Sequence, residues 1–207
     1  VAAEDLPPQL KAEYHALLAD ALADRGQVPQ DDGYGATGDL AWQIVRHAVK
    51  GSAPERWLPL LGRALEHLST VMAHETACEL TERVLAMPQL AAGTNRVVVL
   101  TERARHLNAI GRRDQAELVL AEAGRIAEEV GDEKGDRKVR VIQIFQWLAL
   151  AQYDQAFEEA EKVAALAERL GDEDAEGQSY TVKGQVRWCQ GRYEEGRAFH
   201  ERGLALA

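Results

Sequence analysis

The chain has 207 residues, with 24 Lys+Arg against 34 Asp+Glu and a formal charge of −10. An acidic surplus has the wrong sign for a phosphate backbone and excludes a basic nucleic-acid footprint. No stretch approaches ~18 uncharged apolar residues, so no membrane-spanning helix is expected. Hydrophobic residues make up 46%, enough for a core, which excludes disorder for the bulk of the chain. The two cysteines, Cys78 and Cys189, are too few for a disulfide framework and suit a cytoplasmic location.

The opening Val1-Ala2-Ala3-Glu4 has no signal-peptide pattern. The last residues, Leu204-Ala205-Leu206, lie inside an apolar helical pattern, so a fragment of a longer chain is expected. In chain order, helices are expected over residues 8–23 and 38–50, joined by a loop over 26–38 rich in Gly, Asp, Gln and Pro. A helix over 56–68 follows, with Pro59 tolerated in its first turn. Its partner runs over 74–87 and stops at Pro88.

The second half repeats itself. Gly111-Arg112-Arg113-Asp114-Gln115-Ala116 returns as Ala151-Gln152-Tyr153-Asp154-Gln155-Ala156 and again as Gly191-Arg192-Tyr193-Glu194-Glu195-Gly196, in steps of 40 residues (151 − 111 and 191 − 151). The same step superposes Gly131-Asp132-Glu133 on Gly171-Asp172-Glu173. Between these markers, Ala116, Val119, Leu120, Ala123, Ile126, Ala127 and Val130 fall on one helical face. Gly131 suits the left-handed end of that helix, and residues 139–150 read as the next one. Asp114 and Asp154 are placed to cap the helices that follow them. Each repeat is therefore two antiparallel helices, and a lone pair cannot bury its apolar face without neighbours.

Gly191-Arg192-Tyr193-Glu194-Glu195, followed by His200, Leu204 and Leu206, resembles the second half of a tetratricopeptide (TPR) repeat. That motif has small residues at its eighth, twentieth and twenty-seventh positions. Here they are Ala104 and Gly184, then Ala116, Ala156 and Gly196, then Ala123 and Gly203. Ile144 and Val163 depart from the pattern, which implies wider local packing. The proline usual near the repeat end is absent, and the second helix is longer than in the commonest form. The resemblance covers residues 55–207, as repeats of about 55–91, 92–131, 132–171 and 172–207, with 1–54 a preceding helical pair. Leu40-Ala41-Trp42-Gln43-Ile44-Val45-Arg46-His47-Ala48, with residues 57–68 and 74–87, is similar to the junction after the ATPase core in bacterial, actinobacterial-type STAND regulators. That resemblance implies the sensor part of a signalling or transcription-regulator protein.

Catalytic patterns are missing: there is no phosphate loop and no Gly-x-Ser-x-Gly elbow, so neither an enzyme nor a cofactor is expected. His74 and Cys78, with His67 as a conceivable third ligand, make an incomplete metal pattern, and the preferred reading is a buried cysteine with a helix-start histidine. Asp172-Glu173-Asp174 begins like a calcium loop, but Lys183 occupies its twelfth position. A solvated turn is the better reading. His47 reads as a core or helix-end histidine, and His200 as packing between repeats.

The TPR resemblance places a groove along the first helix of each pair. Its candidate partner-binding residues are Arg105 and Asn108, Lys138 and Phe145, and Gln185 and Trp188. Aromatic and Arg residues of this kind dominate interface energies, unless Phe145 and Trp188 pack under the next hairpin. Glu102, Ile142 and Val182 at the sixth positions argue against a carboxylate clamp. The expectation is an all-α, right-handed α-solenoid of about five antiparallel hairpins that binds a protein or peptide, which could be another domain of the same parent chain. A small-molecule sensor and a self-association scaffold are the alternatives.

Overall fold

The computed structural model describes residues 6–28 and 36–206. Most of the expected 26–38 loop, and the opening Val1-Ala2-Ala3-Glu4, lie outside the described residues. Among these residues there are ten α-helices, one 3₁₀ helix and no strand, and no helix is long and apolar enough to cross a membrane. The chain divides into two compact units, Val1–Ile110 and Gly111–Ala207.

The first unit holds α1 (Pro8–Gly26), α2 (Gly38–Ala48), a 3₁₀ helix (Pro54–Leu60), α3 (Leu61–Thr70), α4 (His74–Leu85) and α5 (Gly93–Ala109). Thr37 caps α2 by accepting a hydrogen bond from the Leu40 amide at 3.4 Å. The single helix expected over 56–68 is split. Pro59 lies inside the 3₁₀ helix, because a proline lacks the N–H that a continuous α-helix needs from it. The α-helical ladder starts only after it. Trp57 is buried and donates its Nε1–H to Asp20 Oδ1 at 3.2 Å, and Arg56 reaches the same oxygen at 2.9 Å. One carboxylate of α1 thus pins the 3₁₀ segment. The core of this unit includes Ile44, Leu60, Ala64, Leu65 and Val84, and each large side chain contributes about 1.5–3 kcal/mol by its burial.

The second unit holds α6 (Arg113–Val130), α7 (Glu133–Ala149), α8 (Tyr153–Leu170), α9 (Glu173–Cys189) and α10 (Tyr193–Ala205), each packed on the next along the chain. Gly131 (φ 69°) and Gly171 (φ 63°) end α6 and α8 in the left-handed conformation. The amides of Asp132 and Asp172 then reach back to Ala127 O (2.8 Å) and Ala167 O (3.3 Å), the pairing that satisfies a helix's last carbonyls. The same two aspartates open the next helices, accepting from Gly135 N (2.9 Å) and Ala175 N (3.0 Å).

This corrects the expected caps. Asp114 and Asp154 lie inside the first turns of α6 and α8, whose N-caps are Arg112 and Gln152 with no side-chain cap bond. Helix α7 also begins earlier than the 139–150 run, because capping by Asp132 recruits the polar segment in front of it.

The last hairpin is held by close backbone approach. A Cβ on Gly184 would lie 2.9 Å from Gly196 O, and one on Gly203 would lie 2.8 Å from Gly177 O. That same Gly184 Cβ would meet the His200 ring at 2.9 Å. His200 therefore packs on the first helix of its own hairpin, whereas the sequence suggested a contact between repeats. In the α7/α8 pair, Ile144 and Val163 fill the equivalent space with Ala156 and Ala160, all fully buried.

Candidate functional site

The six groove residues fall in both compact units. In the first, Arg105 on α5 is exposed and pairs with Glu102 of its own helix at 3.1 Å, while Asn108, one turn further on, is half-buried. In the second, α7 presents Lys138 and Phe145, two turns apart, and α9 presents Gln185 and Trp188, one turn apart. All four are exposed, and α7 touches α9 directly.

Phe145 is 49% exposed and Trp188 51%, so neither is packed under a neighbouring hairpin. Trp188 meets Tyr193 edge-on, with ring centroids 5.0 Å apart, across the turn of its own hairpin. Gln185 Nε2 lies 3.6 Å from the sulfur of exposed Cys189. Helices α7 and α9 therefore each expose one aromatic ring and one polar side chain.

Elsewhere in this unit the charges neutralise one another. A cleft of about 480 Å³ is lined by Asp132, Glu133, Asp136, Arg140 and Arg169 from the α6–α8 region. Arg140 donates to Asp136 (2.7 Å) and also bonds Glu159, while Lys162 reaches Glu159 at 2.9 Å. Burial alone would raise the Glu159 pKa. Hydrogen bonds from Lys162 and Arg140 outweigh it and hold the carboxyl below its ordinary range. Arg169 is paired with Glu133 at 2.6 Å. With its cations already engaged, this cleft is a framework more than a receptor.

Two features escape sequence reasoning. Around α8–α10, the Arg187 guanidinium stacks 3.3 Å from the Phe157 ring centroid, Lys183 Nζ lies 4.7 Å from that of Phe199, and Arg202 lies 4.2 Å from that of Tyr180. Such cation–ring contacts contribute roughly 0.5–2 kcal/mol each. Arg187 Nε also stands 3.3 Å from Glu195 Oε2 without donating a hydrogen bond to it. The aromatic spacing in α9 and α10 hints at the rings, but nothing local pairs them with cations from other turns.

The other feature is a pair of histidine contacts in the first unit. His15 Nδ1 lies 2.9 Å from His47 Nδ1, joining α1 to α2, and His74 Nδ1 lies 3.0 Å from His106 Nδ1, joining α4 to α5. One ring of each pair must be neutral at Nδ1 to accept the bond. His106 is 3% exposed, and its Nε2 has no partner. Burial, then the charges of His74 and Arg105, lower its pKa to about 4.

The residues of the metal pattern are drawn apart by their packing. His74 turns to His106, whereas His67 packs on Gly38 at the start of α2, with its Nε2 3.8 Å from Asp39. Cys78 is buried. Among the described residues no group of three or more His, Cys, Asp or Glu could hold a metal ion. In the calcium-like turn, the Asp172 carboxylate is used as a helix cap.

Successive antiparallel helices, small-residue contacts and glycine-terminated turns at a 40-residue step define an all-α, TPR-like α-solenoid fold. Two solved structures share it over nearly the whole chain. One is a Podosopora anserina chain described as a kinesin light chain of nearly identical TPR-like repeats, at 19% identity and TM-score 0.57, covering 98% of this chain and 96% of that one. A variant of the same repeats gives 19% identity and TM-score 0.60, with 96% and 95% covered. At this identity the likeness concerns the fold. The chain matches no protein-family model and no curated protein.

Proposed function

We propose that this chain is a non-enzymatic recognition domain that binds a protein or peptide on the exposed faces of its first helices. The observation that carries this reading is the solvent exposure of Phe145 and Trp188 on α7 and α9, two helices in contact. Burying such aromatic anchors against a partner supplies much of the energy of an interface. Lys138 and Gln185 supply polar neighbours on the same two helices, and Arg105 and Asn108 offer similar chemistry on α5 of the first unit. Residues 55–207 form the recognition array, following the pair at 1–54 in sequence.

The finer reading places the domain in the cytoplasm of a bacterium, as the sensor part of a STAND-type signalling or transcription regulator. It rests on the resemblance of residues 40–48, 57–68 and 74–87. A bound partner, including another domain of the parent chain, would bias a switch only by binding its two states with different affinity.

The test is a pull-down from a lysate of the source organism with wild type, Phe145→Ala/Trp188→Ala and Leu118→Ala, the last an exposed residue on a second helix. All three must first melt alike. A protein retained by wild type and Leu118→Ala but lost from the double variant is the expected result, and equal retention by all three sinks the proposal.

A further inference from the structure

At least half of the 18 arginines in this chain are engaged by acids. Arg56, Arg103, Arg105, Arg125, Arg140, Arg169, Arg187, Arg192 and Arg197 all pair with carboxylates, as expected where acids outnumber bases. One cleft gathers several of the cations that are not so paired. A cleft of about 370 Å³ between α2 and α4, within the first compact unit, is lined by Arg46, His47, Lys50 and Arg83. Glu79 is its one carboxylate. Among the described residues, Arg46, Lys50 and Arg83 make no ion pair. Glu79 stands four residues before Arg83 on α4, the spacing that pairs Arg125 with Glu129 and Arg197 with Glu201 elsewhere, yet no bridge forms here.

Helix dipoles account for part of this. Arg46 and His47 lie in the last turn of α2, and Arg83 in that of α4, where a cation is favoured by up to ~1 kcal/mol. A dipole explains each cation singly. It does not explain why two helices turn their unpaired cations toward one cleft in a chain of charge −10. The field they leave is felt by His47. Burial first, then Arg46, His15 and Lys50, push its pKa below the ordinary histidine value. Trp42 adds an apolar wall, and Thr76 lies on the same lining. The volume falls within the ~300–1,000 Å³ of metabolite pockets.

We propose that the α2–α4 cleft binds a small multivalent anion, with Arg46, Lys50 and Arg83 gripping its anionic oxygens and Trp42 flanking its body. The shared chemistry is two or more clustered anionic oxygens, whether from phosphate groups or from carboxylates. A nucleic-acid backbone is a poor fit to a small cleft on an acidic protein. This site is independent of the aromatic face on α7 and α9, so either reading can fail without the other.

The test is calorimetric titration of the whole chain with pyrophosphate and, separately, with citrate. The expected result is one-to-one binding of at least one of them that weakens as salt is raised. Binding of pyrophosphate alone assigns a phosphate-type ligand, of citrate alone a polycarboxylate, and of both a site that reads charge; each outcome supports the site. Arg46→Ala and Arg83→Ala should each weaken binding about tenfold or more, since each removes a charge-assisted contact, while Arg125→Ala leaves it unchanged. All three side chains are exposed, so the variants should melt like wild type; if one does not, Lys50→Gln takes its place. Absence of heat with both anions, or binding unaffected by the cleft variants, overturns the proposal.

Discussion

The two compact units solve the same packing problem with different polar chemistry. Beside its ion pairs Arg56–Asp20 and Arg103–Glu82, the first unit fastens α1 to α2 and α4 to α5 with histidine pairs, each sharing one proton between two rings. The second fastens α7 to α8 through Arg140, Glu159 and Lys162, and α8, α9 and α10 through cations laid on aromatic rings. A neutral pair fails when it takes up protons, whereas an ion pair fails when its carboxylate does. The same fold should therefore come apart in a different order as the solution changes.

The largest effect should come from the second unit's tightest contact. Gly184→Val places branched carbon where even a Cβ would lie 2.9 Å from Gly196 O. It should destabilise that unit by about 3 kcal/mol or more, read from urea unfolding. A loss under about 1 kcal/mol would mean the α9–α10 approach is looser than described.

Acid should next single out the first unit. His106 has a folded pKa of about 4 against an ordinary 6.5. The folded form excludes a proton that the unfolded chain takes up, so stability is present above pH 6.5 and is lost as pH falls toward 4. The loss amounts to about 3 kcal/mol. His15 and His47, also lowered, act with the same sign. Glu159, held below its ordinary value of 4.5, loses its contribution only as pH falls through and below that value. Hydrogen exchange resolved by segment from about pH 7 to about pH 4 should show α4 and α5 opening before α7 and α8. The opposite order would break the comparison.

Two smaller changes sharpen it. Glu159→Gln keeps the shape but removes the charge that Arg140 and Lys162 share, and should cost the second unit about 1–3 kcal/mol in urea, while removing its acid response below pH 4.5. Ala151→Gly should act in the other direction. Gly111 and Gly191 turn at φ 77° and 76°, but the intervening repeat places Ala151 at φ 58°. Relieving that strain should stabilise by about 0.5–1 kcal/mol, seen as a rise in Tm. An unchanged Tm would show that the turn tolerates a side chain at no cost.

How far the sequence is legible depends on how local the physics is. Gly131 and Gly171 announce helix ends because a left-handed residue is needed there and glycine supplies it cheaply. The 40-residue step then fixes the element order. The capping aspartates were harder, since Asp114 and Asp132 both sit beside turns, and only backbone geometry shows which carboxylate meets free amides. Helical period marks Phe145 and Trp188 as sharing a face with Lys138 and Gln185, but whether another hairpin covers that face is a tertiary fact. The histidine pairs and the Arg46–Arg83 cleft join residues more than thirty positions apart. Their formation depends on how each helix is rotated about its axis, which no short window of sequence encodes.

Asp132 and Asp172 each finish one helix and start the next with the same residue. These junctions have no slack: one inserted residue would part the amide that closes one helix from the carboxylate that opens its successor. The two junctions lie one 40-residue step apart (172 − 132), so a whole repeat can be added or removed between them without disturbing either cap. The junction is thus a ruler as much as a hinge pin, setting the increment in which such a helical array can be lengthened by duplication or by design.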